Sequence, residues 1–442
     1  MKVFVASFAL AAAASAEILP EHSFDEARTR LVPEGNDFLL EINDPGNRTW
    51  MLQSGDRPGP WTNGPSYRVF NSTLRISLPK AGSHRFFRLN PDLASEVPAA
   101  TAKNALLHPD TPFNYANPPL PSHFTISVAG SDNAPADNPV TDAGAALGRV
   151  LFYDKRLSAN RTVSCASCHQ AEHGFADPRP LSIGFAGGLT RRNSMGLTNA
   201  RYYQRAAFLW DERGGNLENQ VLMPIQDQVE MGMTLDLLVQ RLAAEPFYGE
   251  LFTTAFGSPE VNSPRIARAL AQFIRSITSA SSKYDTGRQS DFSNFTALEN
   301  MGRTLFTVRG CSGCHTTENF ITTRLTLNGL ENPPIDGGRG EVTGLASDNG
   351  KFKVPSLRNI ELTAPYMHDG RFATLEEVIE FYNSGIQQTP GLTLPLRSFA
   401  QPNTMNLSVE QRAALVAFLK TLTDTSLTSD PKFSDPFRYE AE

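Results

Sequence analysis

The 442-residue sequence predicts a mainly α-helical protein made of two tandem, related units, preceded by a small antiparallel β domain. Three observations lead there. Two stretches read almost alike, Cys165-Ala-Ser-Cys168-His169 and Cys311-Ser-Gly-Cys314-His315. Each follows a similar helical lead-in, Leu147-Gly-Arg-Val-Leu-Phe152 and Met301-Gly-Arg-Thr-Leu-Phe306, a weak internal repeat. Before about Asn90 the texture differs: short, partly alternating runs are separated by Gly and Pro clusters.

Taken in order, Lys2, the apolar run Val3 to Ala14 and Ala14-Ser-Ala16 have the form of a secretory signal over residues 1–16, too short to span a bilayer. Residues 17–90 form the β domain, with strands expected at Phe38 to Ile42, Thr49 to Gln53, Tyr67 to Phe70, Leu74 to Leu78 and Arg85 to Leu89, and with Trp50 and Trp61 as core residues. Residues 91–138, rich in Pro, Ala, Asn and Asp, read as a linker along a surface. The first helical unit occupies 139–290. In it, Thr141 caps the lead-in helix, Leu235 to Phe256 has helical spacing, and Ile266, Leu270, Phe273, Ile274 and Ile277 share one side of a further helix. The second unit occupies 291–425. It has a capping box from Thr374 to Glu377 ahead of Val378, Phe381 and Tyr382, and another from Ser408 to Gln411 ahead of a closing helix. Residues 426–442 read as a polar, loosely held tail.

The chemistry lies in the repeated stretches. CxxCH is the spacing at which two thiols add across the vinyl groups of a haem while the next residue, histidine, ligates the iron. All four cysteines of the chain are used this way, so two covalent c-type haems and two cytochrome c-like haem domains are expected. One zinc shared by pairs so far apart is unusual, and thioredoxin-like CxxC sites do not require the following histidine. His169 and His315 are the proximal ligands. For the opposite face of the second haem, Met367, His368 and Tyr382 are candidates; for the first, no side chain stands out. A haem with a free position binds and activates small molecules, whereas one with two protein ligands transfers electrons.

From about Pro139 to Asp424, roughly two thirds of the chain, the sequence resembles the bacterial dihaem cytochrome c peroxidase and MauG family. The motifs that carry the resemblance are the two CxxCH stretches, Phe208-Leu-Trp-Asp-Glu-Arg213, Leu217-Glu-Asn-Gln220 with Pro224-Ile225 and Glu230-Met231, Phe352-Lys-Val-Pro-Ser-Leu-Arg-Asn359, and Leu362-Thr-Ala-Pro-Tyr-Met-His-Asp-Gly370. The peroxidases of the family carry a removable histidine ligand after Ser-Ile-Gly. Here Ser182-Ile183-Gly184 is followed by Phe185, so the resemblance implies a five-coordinate first haem. It also implies Tyr382 as sixth ligand of the second haem, as in MauG-like members, with Met367 the rival. Glu230 matches the distal acid that moves a proton during peroxide cleavage, Gln220 its hydrogen-bonding neighbour, and Trp210 the tryptophan between the haems. A calcium ion between the haems is implied as well, with Asn193 as side-chain ligand and the carbonyls of Thr363 and Pro365 as backbone ligands.

The expected protein is therefore an exported enzyme, periplasmic or extracellular, that reduces hydrogen peroxide. Its electrons would come from a small redox protein, a cytochrome c or a copper protein, or from a protein substrate that becomes oxidised, as with MauG. The net charge of −6 argues against nucleic acid, and no later run is apolar enough to span a membrane. The rival from another class is a dihaem electron-transfer cytochrome without catalysis.

Overall fold

The computed structural model describes the backbone of strands between Ala6 and Pro91, and residues 105–438 apart from 108, 110 and 129. The chain divides into two compact units, Met1–Ala99 with Ser158–Thr162, and Ala100–Leu157 with Val163–Glu442.

In the first unit the strands are Ala6–Leu10 (β1), Glu17–Ile18 (β2), Arg28–Glu34 (β3), Asp37–Asn43 (β4), Thr49–Gly55 (β5), Thr62–Arg68 (β6), Thr73–Pro79 (β7) and Arg85–Pro91 (β8). One antiparallel sheet has the order β2-β1-β8-β5-β6, the other β3-β4-β7. Leu40, on the middle strand of the smaller sheet, sits opposite Leu31 and Ile76 and is fully buried. Four of the five expected strands form at their expected places, while Tyr67 and its neighbours pair earlier, over β6. β3 was not expected, since its run Arg-Thr-Arg-Leu-Val-Pro-Glu carries a proline and few apolar residues; it borrows its register from β4. Ala6–Leu10, within the expected signal, pairs with β8. Trp61 lies outside the described residues, and of Trp50 only the backbone is described.

The second unit is helical, and it contains the same helix crossing twice. The helix Asp142–Tyr153 packs on Ser263–Ser276, and Ala297–Val308 packs on Val409–Lys420. Glycine makes both crossings close. A Cβ at Gly148 would stand 2.0 Å from the Ala269 carbonyl oxygen, and one at Gly302 would stand 1.9 Å from that of Ala414. An aromatic set repeats around each crossing. Phe152 lies 5.2 Å from Phe273 and 6.1 Å from Phe175; Phe306 lies 5.1 Å from Phe418 and 5.9 Å from Phe320. The weak repeat in the sequence is thus a repeat of packing: the glycine admits the partner backbone, and the phenylalanine four residues on fills the space beneath it. Full burial of one such phenylalanine is worth about 1.5–3 kcal/mol.

The caps read from the sequence form. The Thr141 hydroxyl accepts from Gly144 N at 3.0 Å, and Thr374 with Glu377 and Ser408 with Gln411 make reciprocal boxes. The segment read as one helical run from Leu235 to Phe256 is two helices, Leu235–Ala243 and Pro246–Phe256. Pro246 cannot continue the first but is suited to start the second. Ile266, Leu270, Phe273, Ile274 and Ile277 are all buried.

Two segments depart from expectation. The 91–138 stretch does not merely lie along a surface: Ser122–Val128 is helical, and Tyr115, Phe124 and Val128 are buried. The aromatic residues in this Pro-rich stretch anchor it. The C-terminal tail is packed, not loose. Leu427 and Phe433 are buried, and Phe433 packs on Phe175 and Phe273. Tyr153 Oη donates to the Phe433 carbonyl at 2.5 Å, Tyr115 Oη to the Lys432 carbonyl at 2.8 Å, and Arg149 Nε to the Ser434 carbonyl at 2.7 Å. The few apolar residues of a polar tail are a faint signal, but its carbonyls accept from three polar side chains of the first unit.

Candidate functional site

Each CxxCH stretch is a tight turn that leads directly into its histidine. His169 N donates to the Cys165 carbonyl at 2.9 Å, and His315 N to that of Cys311 at 3.0 Å. None of the four cysteines is in a disulfide. The histidine rings are fixed in the same way. His169 Nδ1 lies 2.9 Å from the Phe175 carbonyl oxygen, and His315 Nδ1 lies 3.0 Å from that of Phe320. Such a contact keeps the proton on Nδ1 and leaves Nε2 with its lone pair for a metal. Both phenylalanines take left-handed backbone, with φ of 61° and 53°, which costs a bulky residue on the order of 1–3 kcal/mol. Burial of their rings offsets this, and the turned carbonyls serve the histidines. Burial lowers both imidazoles, against the pull of those carbonyls, and brings His315 to about 4, so both are neutral donors.

Around the second stretch lies a cavity with largely apolar walls. Cys311, Cys314, His315, Met367, Asn328 and Tyr382 line it, with Leu375, Ile379 and Leu415 among the apolar groups. Tyr382 sits in a π-helical turn, Phe381–Gly385, that widens the end of the helix Leu375–Glu380. Such turns recur at functional sites because they displace one side chain from the regular helical face. Burial pushes the Tyr382 phenol up to about 12, with the Asn328 amide acting against it. Asn328 Nδ2 also donates to Met367 Sδ at 3.7 Å. Two thiols and a neutral imidazole on an apolar cavity that also exposes a phenol and a thioether are a donor set that fits a covalently held haem. His368 lines the cavity too, but its ring stacks on Phe352 at 4.1 Å and its Nε2 faces Asp336 at 3.9 Å.

Near the first stretch, two loops meet. Phe185 N donates to the Glu230 carbonyl at 2.9 Å, and the Phe185 ring covers Gly232, where a Cβ would come within 2.4 Å of it. Burial, reinforced by the charge of Asp227 and opposed by Arg213, raises the Glu230 carboxyl to about 7. The charge of Glu230 is felt at both Cys165 and Cys168, so the carboxyl is within electrostatic reach of the attachment site. Gln220 packs on Gly214 and makes no hydrogen bond to Glu230 among the described residues. The donor set here is the thiol pair with its fixed imidazole.

The two sites adjoin. Gly174, Asn193, Met195 and Gly196, all from the first CxxCH unit, help to line the second cavity, as does Trp210. Trp210 Nε1 donates to the Asn193 carbonyl at 2.8 Å, and its ring meets His368 edge-on at 6.5 Å. Asn193, Thr363 and Pro365 share the wall of this cavity. Asn193 spends its Nδ2 on the carbonyls of Arg179 and Pro180, at 3.0 and 3.2 Å, which leaves Oδ1 as an acceptor. Among the described residues no group of three or more His, Cys, Asp or Glu is placed to hold a metal, so a cation here would rest on amide and carbonyl oxygens.

Sequence reasoning missed the ionic groups that hold this junction. Arg192, nearly buried, bonds Asp211 at 2.5 Å and Asp336 at 2.7 Å, and it lies over the Phe352 ring at 5.4 Å. Arg358 bonds Asp285 at 2.6 Å, and His123 from the supposed linker meets the same carboxylate at 3.0 Å. Arg358 and Phe352 do belong to one of the motifs noted in the sequence, but nothing there tells a structural arginine from a surface one.

Comparison with known proteins adds the family. Residues 142–292 match the model of the family described as di-haem cytochrome c peroxidase. The methylamine utilization protein MauG of Methylorubrum extorquens is 37% identical over 292 residues, which cover 65% of this chain and 80% of the relative. The cytochrome c551 peroxidase of Nitrosomonas europaea is 36% identical over 285 residues, covering 63% and 79%. A crystal structure of a MauG-like protein associated with microbial copper homeostasis superimposes with a TM-score of 0.62 at 36% identity, over 74% of this chain and 99% of that one. With two haem-attachment stretches, a shared junction and relatives of this extent, the chain belongs to the dihaem cytochrome c peroxidase and MauG family of oxidoreductases.

Proposed function

We propose that this chain is an exported dihaem peroxidase of MauG-like construction: a signal over 1–16, a β domain over 17–90, a linker over 91–138, a peroxide-reducing haem domain over 139–290, an electron-transfer haem domain over 291–425 and a packed tail. Cys165, Cys168 and His169 hold the first haem, and Cys311, Cys314, His315 and Tyr382 the second. When bound, haem supplies an iron that takes up peroxide and a ring system that stores oxidising equivalents.

The rest is the work of side chains. Phe185 puts hydrocarbon where related peroxidases have a histidine, so no ligand must be expelled before peroxide enters. Glu230 takes a proton from the inner peroxide oxygen and returns it to the outer one, which leaves as water. A carboxyl near 7 exchanges protons in both directions at neutral pH. Gln220 orients the peroxide beside it. Trp210 carries electrons between the sites, and Asn193, Thr363 and Pro365 hold a calcium ion beside it. The electrons come from a small redox protein or from a protein substrate that is oxidised. Tyr382 favours the second source, because a phenolate stabilises ferric and higher states. No described helix is long and apolar enough to cross a membrane.

The observation that carries this reading is that the main chains of Phe185 and Glu230 are hydrogen-bonded to each other, with the Glu230 carboxyl in electrostatic reach of Cys165 and Cys168. Rapid mixing of the ferric protein with peroxide tests it: a fast spectral change is expected. Two six-coordinate low-spin haems that ignore peroxide would make the protein an electron carrier.

A further inference from the structure

Beside Trp210 a cation is buried without an anion. Lys353 is 9% exposed and lines the second cavity together with Cys311, Cys314 and His315. Its backbone N donates to the Trp210 carbonyl at 2.8 Å, and its Nζ stands over two rings, 4.2 Å from the centroid of Tyr203 and 5.3 Å from that of Phe208. Among the described residues Nζ makes no hydrogen bond and no ion pair. The carboxylate whose charge acts on it, Glu212, is already engaged, accepting from Tyr203 Oη and from Arg205 at 2.6 Å. Neighbouring buried cations are treated differently: Arg192 and Arg358 each have carboxylate partners within 2.7 Å. Burial accordingly lowers Lys353 to about 8, with Glu212 resisting.

A buried ammonium that aromatic faces hold in place but no anion neutralises is a binding group awaiting one. The cavity it opens on is otherwise mostly hydrocarbon, and the one anionic part of a haem is its pair of propionate carboxylates. We propose that Lys353 binds a propionate of the second haem through a charge-assisted hydrogen bond, and so ties the edge of that haem to the main chain of Trp210. Lys353 is then a positioning residue that sets both the seating and the potential of the second haem. This rests on the reading that Cys311, Cys314 and His315 carry haem c.

The holoenzyme tests it by stepwise redox titration of K353M and K353R, with haem content measured for each. Loss of the positive charge in K353M is expected to favour the ferric form of the second haem by about tenfold, 59 mV for one electron, with the first haem unchanged and K353R close to wild type. In wild type carrying ¹³C-carboxyl-labelled haem, redox infrared difference spectra are expected to show a propionate band that shifts on H/D exchange and moves in K353R. An unchanged second potential in K353M overturns the proposal. So does a labelled band insensitive to exchange and identical in K353R, which decides the matter even where K353M does not fold. One haem per wild-type chain would instead remove the reading beneath it, and the proposal with it.

Discussion

At the scale of single residues, the site depends on groups whose surroundings override their ordinary chemistry. Glu230 is named by its motif, but its raised carboxyl comes from burial and the charge of Asp227, which no local pattern announces. Glu230→Gln should keep both haems and slow the reaction with peroxide by about 10²–10⁴-fold in stopped-flow measurements; unaltered kinetics would remove Glu230 from the mechanism. In the wild type the same rate should fall as pH drops below about 7, where the carboxyl is already protonated and cannot take the first proton. The stability effect has the opposite sense to activity. A folded-state value raised above the ordinary one favours the fold fully below the ordinary carboxyl range, and that advantage is lost as pH rises through about 7. Glu230→Gln should therefore raise Tm relative to wild type increasingly from about pH 4.5 to 7, and not below that window. Tyr382→Phe should change the spin state of the second haem, and Tyr382→Met should raise its potential. An unaltered spectrum in the phenylalanine variant would take Tyr382 off the iron and turn attention to Met367.

Among the elements, the helix crossings were the most legible, because a glycine and a phenylalanine four residues apart recur before both CxxCH stretches. The sequence shows that the glycines repeat; the structure shows why, since each admits a backbone carbonyl where a methyl group cannot fit. Gly148→Ala and Gly302→Ala should each lower stability by about 1–3 kcal/mol or more, as overpacking does. The same substitution at Gly249, where a Cβ meets nothing nearer than Pro259 at 3.8 Å, should raise stability by about 0.5–1 kcal/mol through helix propensity. Thermal unfolding of the three variants side by side checks the contrast in sign. The capping boxes were legible because both partners sit three residues apart. The π-helical turn at Tyr382 was not, since no residue type in Phe381–Gly385 marks it.

For the whole molecule, the parts that the sequence hid are those that act across long separations. Phe124 in the Pro-rich stretch and Phe433 in the polar tail each look like isolated apolar residues, and their worth appears only where distant rings receive them. Phe433→Ala should cost about 3–5 kcal/mol, and the loss should appear in the unfolding of the first crossing, where Phe433 meets Phe175 and Phe273. The tail also completes a unit distant from it in sequence. The first CxxCH unit precedes the second in the sequence, but the Phe433 ring that packs on it follows the closing helix of the second. Without the tail, Tyr115, Tyr153 and Arg149 would lack their carbonyl acceptors. The unit nearer the amino terminus is thus completed by residues that follow the closing helix Val409–Lys420 of the other. A fusion placed directly after Arg438 would burden the seal of the first haem unit, although it follows the second in sequence.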